Sequence, residues 1–344
     1  MELAWYWTAA VAFLIINFLL VSASVLVYAE RKVSGYIQAR PGPNRVGPFG
    51  FLQPFADVLK LVLKENIVPL TANPFVHSLA PTLMVIIAMG AGGLIPFARG
   101  VVIADMEVSA LVLLALTSIS VYGVTLAGWS SNSKYSLLGG LRSSAQMISY
   151  ELSMGLSVLS VVLLTGSLNL VEMVEAQQVG WGFFGWNIFR NPIGAIIFIV
   201  TAFAETNRTP FDLPEAEQEL VGGYHTEYSG MKFGMFFLAE YVNFFVASFF
   251  IATLFFGGYL LPFEPVIIGV FPGLADSILL MVLQILTLLV KAGFFAFLFI
   301  WVRWTLPRFK YQQLMVLGWK ILLPLALVNA MVIALVLVLL DTLF

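Results

Sequence analysis

A transmembrane helix needs about 20 consecutive, mostly apolar residues, and this sequence supplies eight runs of that kind, at 4–28, 77–98, 106–128, 144–168, 188–204, 233–257, 276–302 and 318–340. The fifth is the weakest, because its apolar centre runs only from Ile193 to Ala204. The second carries Pro81, Pro96 and the run Gly90-Ala91-Gly92-Gly93, which permits kinks and close helix contacts. The spans predict an all-α, polytopic bundle forming one integral membrane domain over 1–344. The chain opens Met1-Glu2-Leu3-Ala4 without a basic stretch, so the first run is expected to be a retained helix rather than a cleaved signal.

The basic residues test that layout. Eight spans place Arg31, Lys32, Arg40, Arg45, Lys60, Lys64, Lys134, Arg142, Arg208, Lys232, Arg303, Arg308, Lys310 and Lys320 on one side, 14 in all, and only Arg99 and Arg190 on the other, with Lys291 inside a span. By the positive-inside rule the richer side is cytoplasmic, or matrix in a mitochondrion. Both termini then lie on the periplasmic or intermembrane side. Only 10% of residues are charged and 60% are hydrophobic, where a soluble domain carries about 25% charged residues. A net charge of −2 gives no reason to expect a nucleic-acid partner. With no cysteine, the chain can hold no disulfide, thiolate-bound metal or iron–sulfur cluster of its own.

Two polar loops carry most of the remaining information. In loop one, Pro41-Gly42-Pro43-Asn44-Arg45 demands a sharp turn. A short amphipathic helix is expected after it, with Gln53, Asp57, Lys60 and Lys64 as one polar stripe and Phe51, Leu52, Phe55, Val58, Leu59, Val62 and Leu63 around the rest. At ~21 Å for about 14 residues it is too short to span; it is an interfacial anchor or a substrate-contacting element. Loop five, 205–230, holds Glu205, Asp212, Glu215, Glu217, Glu219 and Glu227 against Arg208. Asp212 and Glu215, with Pro214 between them, read as a helix-starting device. Glu217, Glu219 and Glu227 are not so explained, which points to a functional acidic cluster. The spacing lacks the D-x-[DN]-x-[DN]-G pattern of a calcium loop, and no metal site is expected.

Three charges lie deep inside spans. Glu151 lies nine residues beyond Arg142 and Glu240 eight beyond Lys232, so both are ~12–13 Å deep by helix rise and are expected to face one cavity. Lys291 lies twelve residues before Arg303, ~18 Å from the same face. An ionised group at a helix centre costs on the order of 3 kcal/mol. The three are either a structural Lys–Glu pair or part of a proton path. Span four adds Gln146, Ser149, Ser153, Ser157 and Ser160, suited equally to holding water and to packing helices. The only histidines, His77 and His225, are assigned to opposite sides and could not share a haem. No dinucleotide-binding G-x-G-x-x-G follows a strand, so electron chemistry belongs to partner chains or to a shared quinone site.

The strings ERK…GYIQARPGPNRVGPFGFLQPFADVLKL, SAQMISYELSMG and ETNRTPFDLPEAEQELVGGYHTEYSGMKFG resemble the membrane subunit called H in bacteria, and called 1 in mitochondria, of NADH:quinone oxidoreductase (respiratory complex I). The resemblance implies a subunit that joins the hydrophilic redox arm to the membrane arm, with loops 29–76 and 205–232 at the contact. It implies a quinone tunnel near Arg31, Arg40, Asp57 and Lys60. It places Glu151, Glu205, Asp212, Glu215 and Glu240 in an acidic proton path, and Glu217, Glu219 and Glu227 in a coupling loop, with Lys291 a possible ion-pair partner. By the same resemblance quinone is the expected substrate, FMN and iron–sulfur clusters are expected on partner subunits, and small membrane subunits and lipid are expected as further neighbours. A homologous subunit of hydrogenase-type complexes ranks second, since those relatives generally lack PFDLPEAEQELVGGY. A free-standing cation transporter ranks third, since no inverted repeat is found.

Overall fold

The structure, a computed structural model, describes residues 2–178, 183–212, 221–270, 273 and 277–343. It is all-α: α1 (Glu2–Ile37), α2 (Gln53–Leu63), α3 (Pro74–Gly92), α4 (Ser109–Ser130), α5 (Lys134–Thr165), α6 (Leu170–Glu175), α7 (Asn187–Arg190), α8 (Pro192–Glu205), α9 (Gly230–Phe255), α10 (Glu264–Val270), α11 (Ile278–Thr305), α12 (Tyr311–Val316) and α13 (Leu323–Leu343). A π-helical stretch, Leu317–Leu322, joins α12 to α13 without a break. Among the described residues, seven helices are long and apolar enough to cross a membrane: α1, α3, α4, α5, α9, α11 and the continuous run Tyr311–Thr342. The eighth, α8, has 14 residues and reaches only ~21 Å.

The helix ends depart from the apolar runs for local reasons. α1 continues to Ile37, past the apolar run, because Glu30, Arg31 and Lys32 are compatible with helix. α5 starts early, at Lys134. Its Gly139 lies against the backbone of Gly223, where a side chain would collide, so close packing outweighs glycine's poor helix propensity. α8 begins where Asn191 caps Gly194 N–H at 2.9 Å and Pro192 fits the first turn. α3 stops at Gly92, and Leu94, Ile95, Phe97 and Ala98 are buried without helix.

Loop one, loop three (129–143), loop five and loop seven (303–317) meet at one end of the bundle, here the basic face. Ser229 joins loop five to loop one by accepting from Ile67 N–H at 3.0 Å. Ser130 and Tyr228 join loops three and five at 3.2 Å. Phe309 N–H donates to Pro210 O at 3.1 Å, joining loop seven to loop five. The buried apolar residues form one cluster running from Ile15 to Ala326, with Phe198, Phe244, Phe249, Phe255 and Phe299 at its centre.

Candidate functional site

The amphipathic helix forms as α2, eleven residues rather than fourteen. It closes one wall of an apolar cavity of about 310 Å³. The other walls are Ala23, Val27 and Arg31 of α1 and Phe233, Phe237 and Tyr241 of α9. Arg31, Asp57 and Lys60 stand in its lining, and Arg31 Nη1 donates to Asp57 Oδ2 at 2.5 Å while Gln53 donates to Asp57 Oδ1 at 3.2 Å. Arg40 is not in that lining. With Arg31 and Arg45 it surrounds a second, polar cavity of about 660 Å³ formed by the Pro41–Asn44 turn. Arg31 belongs to both.

Beside the apolar cavity lies a buried charge cluster. Glu30 accepts from Arg208 Nη1 at 2.7 Å, from Tyr241 Oη at 3.0 Å and from Arg303 Nη1 at 2.6 Å. Arg208 Nε donates to Glu240 at 2.9 Å, and its guanidinium lies 4.2 Å from the Tyr241 ring centroid and 4.4 Å from that of Phe244. Glu30 and Arg208 are almost wholly buried, at 4% and 2% exposed. Burial alone would lower the Arg208 pKa; the Glu240 and Glu30 carboxylates more than offset it and hold it above its ordinary value. Asp212, also buried, pairs with Arg308 of loop seven at 3.1 Å, so its role exceeds starting a helix. Sequence reasoning missed Glu30, Tyr241 and Arg303 as a group. Glu30 sits next to Arg31 and Lys32 and reads as a solvated boundary charge, and its partners are 178 and 273 residues away.

Glu151 and Glu240 have different carboxylate neighbours. Ser118 of α4 donates to Glu151. The carboxylate in electrostatic range of Glu205 is Glu151, and Thr117 bonds Glu205, whereas the carboxylates acting on Glu240 are Glu30 and Asp212. Equal depth follows from helix rise, but azimuth around each helix decides which residues meet. A narrow cavity of about 50 Å³, touching Thr117, Glu205 and Asn243, lies between the two groups; Asn243 is one turn from Glu240 on α9.

Lys291 pairs with neither acid. Its ammonium donates to the carbonyls of Gly258 and Leu260 at 2.8 Å each and sits 4.2 Å from the Trp186 ring centroid. His77 belongs to the basic face, not the opposite one: α3 starts directly after loop one, so its first turn is at that end. The His77 ring stacks on Tyr228 at 3.9 Å, with Lys232 Nζ 3.3 Å from Nδ1. His225 is on the same face, and burial depresses its pKa to about 4. Burial likewise pushes Tyr228 up to about 12. Glu227 lies in the same turn, its backbone bonded to His77. Glu215, Glu217 and Glu219 lie outside the described residues. The span-four polar residues mostly tie helices together: Gln146 donates to Ala204 O and Phe211 O, Ser157 to Gly194 O, and Ser149 accepts from Trp319 Nε1. Among the described residues, no group of three or more His, Asp or Glu side chains is arranged to hold a metal ion.

Fold and site together define a polytopic membrane protein with an apolar cavity beside a cluster of buried acids. The profile of the NADH dehydrogenase family matches residues 9–334. NADH-quinone oxidoreductase subunit 8 of Rhodothermus marinus is 74% identical over 335 residues, covering 97% of this chain and 98% of that protein. The H subunit of the same enzyme in Salinibacter ruber is 71% identical over 329 residues (96% and 95%), and its counterpart in Rhodospirillum centenum 51% over 325 (94% and 91%). The chain belongs to the NADH dehydrogenase family, as a membrane subunit of NADH-quinone oxidoreductase.

Proposed function

We propose that this chain forms the membrane entrance for quinone, between α1, α2 and α9, and the first part of the proton path. One observation carries the reading: Tyr241 lines the apolar cavity and also donates to Glu30 in the charge cluster. A quinone in the cavity is thereby one hydrogen bond from the cluster. Quinone reduction takes up protons and changes charge, and opposite charges packed this closely transmit such a change to their neighbours. The route of coupling runs from Glu30 and Arg208 to Glu240 and Asp212, then past Asn243 to Glu205 and Glu151. Arg31, Asp57 and Lys60 mark the tunnel, and Arg40 stands at the adjoining polar cavity. Glu215 belongs with the proton path, and Glu217, Glu219 and Glu227 serve the coupling loop against the hydrophilic arm. FMN and the iron–sulfur clusters of partner subunits supply the electrons, and small membrane subunits receive the path. The basic face is cytoplasmic in the bacterial inner membrane, with the termini on the periplasmic side.

The test uses the intact complex in sealed vesicles. Val58→Trp fills the cavity and should cut quinone turnover at least tenfold, while NADH oxidation by a soluble artificial acceptor stays normal. Glu205→Gln should leave acceptor activity intact and lower protons moved per quinone reduced. Equal loss of both electron activities in the first, or native pumping in the second, would refute the reading.

A further inference from the structure

The half of the bundle opposite the basic face is built differently from a row of helices. α9 ends at Phe255, and Phe256 packs on Phe295 of α11 at 4.8 Å. That contact is seventeen residues from the start of α11 at Ile278, or ~26 Å along that helix. Over that length α11 presents apolar residues outward, including Ile278, Leu279, Val282, Leu286 and Val290. The chain at 256–261 therefore continues without helix at membrane depth, mostly buried, with Tyr259 and Leu260 0% and 1% exposed. Irregular backbone at that depth persists only where protein satisfies its polar groups. Lys291 does this for Gly258 and Leu260. Gln177 does it for Gly257 N–H at 3.0 Å and Thr253 O at 3.0 Å. Gly257, at φ +70°, has no Cβ to strike the Trp186 indole that packs beside Lys291.

Two features make this plug more than a repair. Lys291 lies on α11 seven residues inward of Gln284, which is itself tied to Arg99 N–H at 3.2 Å and to Glu264 at 3.2 Å. The cation thus sits ~10 Å inside the rim. On its other side, twelve residues separate it from Arg303 in the charge cluster, and in that interval Phe299 stacks on Phe203 at 3.8 Å and packs at a tilt on Phe244 at 5.2 Å. A proton leaving the acids toward this face meets these packed rings and then the Lys291 ammonium, held by two carbonyls and the Trp186 ring with the Glu264 carboxylate in electrostatic range, at a depth where repulsion is poorly screened.

We propose that Lys291, clamped in the broken segment after α9, is an electrostatic barrier that stops protons leaking from the acid path across this subunit. The purpose rests on the proton-path reading, but the barrier is measured with catalysis idle, so the two can fail separately. The complex, reconstituted in liposomes without NADH, is given a potassium diffusion potential, and proton entry is followed with an internal pH dye. Lys291→Gln, which keeps a donor for one carbonyl but removes the charge, should raise proton entry severalfold over native, and Lys291→Arg should restore tightness. Chloride entry should be unchanged. Native tightness in Lys291→Gln would overturn the barrier. So would an equal rise in chloride entry, which signals a hole rather than a lost charge. If Lys291→Gln and Lys291→Met both fail to assemble while Lys291→Arg assembles and Trp186→Leu, with the cation exposed to one less neighbour, is as tight as native, the residue is a structural clamp only.

Discussion

The two halves of this bundle bury polarity by opposite means. On the basic face, side chains of opposite charge are brought together from distant segments: Glu30 of α1, Arg208 of loop five, Glu240 of α9 and Arg303 of α11. In the other half, side chains satisfy backbone: Gln177, Asn187 and Lys291 bond the carbonyls around the end of α9. A charge network can change state when one member gains or loses a proton. A ring of side-chain-to-carbonyl bonds has no such freedom and holds one geometry. On the reading proposed above, the basic face moves charge and the opposite half insulates.

That contrast predicts a ranking of costs. The largest is Arg208→Met, which leaves Glu30 and Glu240 without their shared guanidinium. Breaking a buried pair by removing one partner costs about 3–5 kcal/mol, so little intact complex should reach the membrane, as measured by native gel. Normal assembly would break the comparison. Next is Asn187→Leu in the opposite half, which leaves Leu254 O without its side-chain donor. Unsatisfied buried polar groups cost roughly 1–3 kcal/mol each, so the variant should assemble and inactivate faster on heating. A greater loss than for Arg208→Met would invert the ranking.

The smallest effect concerns pH and sharpens the comparison within the basic face. His225 has its pKa lowered by burial to about 4, below the ordinary value near 6.5. The folded form favours neutral imidazole, so its stabilisation is complete above about pH 6.5 and is lost as pH falls from there towards 4. Hydrogen exchange at 223–230 should quicken over that window in the native complex, and not in His225→Phe. An identical pH profile in the two would remove His225 from the account.

Much of this was legible in one dimension. The all-α bundle of apolar spans and the amphipathic α2 follow from apolar length and a rise of ~1.5 Å per residue, although α8, expected as an eighth span, has only 14 residues. These are properties of a segment considered alone, and the cost of placing polar groups in lipid makes them nearly obligatory. Partnership is not such a property. That Glu240 joins Glu30 and Arg208 while Glu151 joins Glu205 depends on how each helix is rotated. That Lys291 finds carbonyls instead of an acid depends on α9 ending short of α11's far end. Both are settled by packing between segments up to 273 residues apart. The order of residues dictates which groups must be buried, and the packing of helices chooses the partner that neutralises each. A buried charge requires that a partner exist but does not say from which helix it comes.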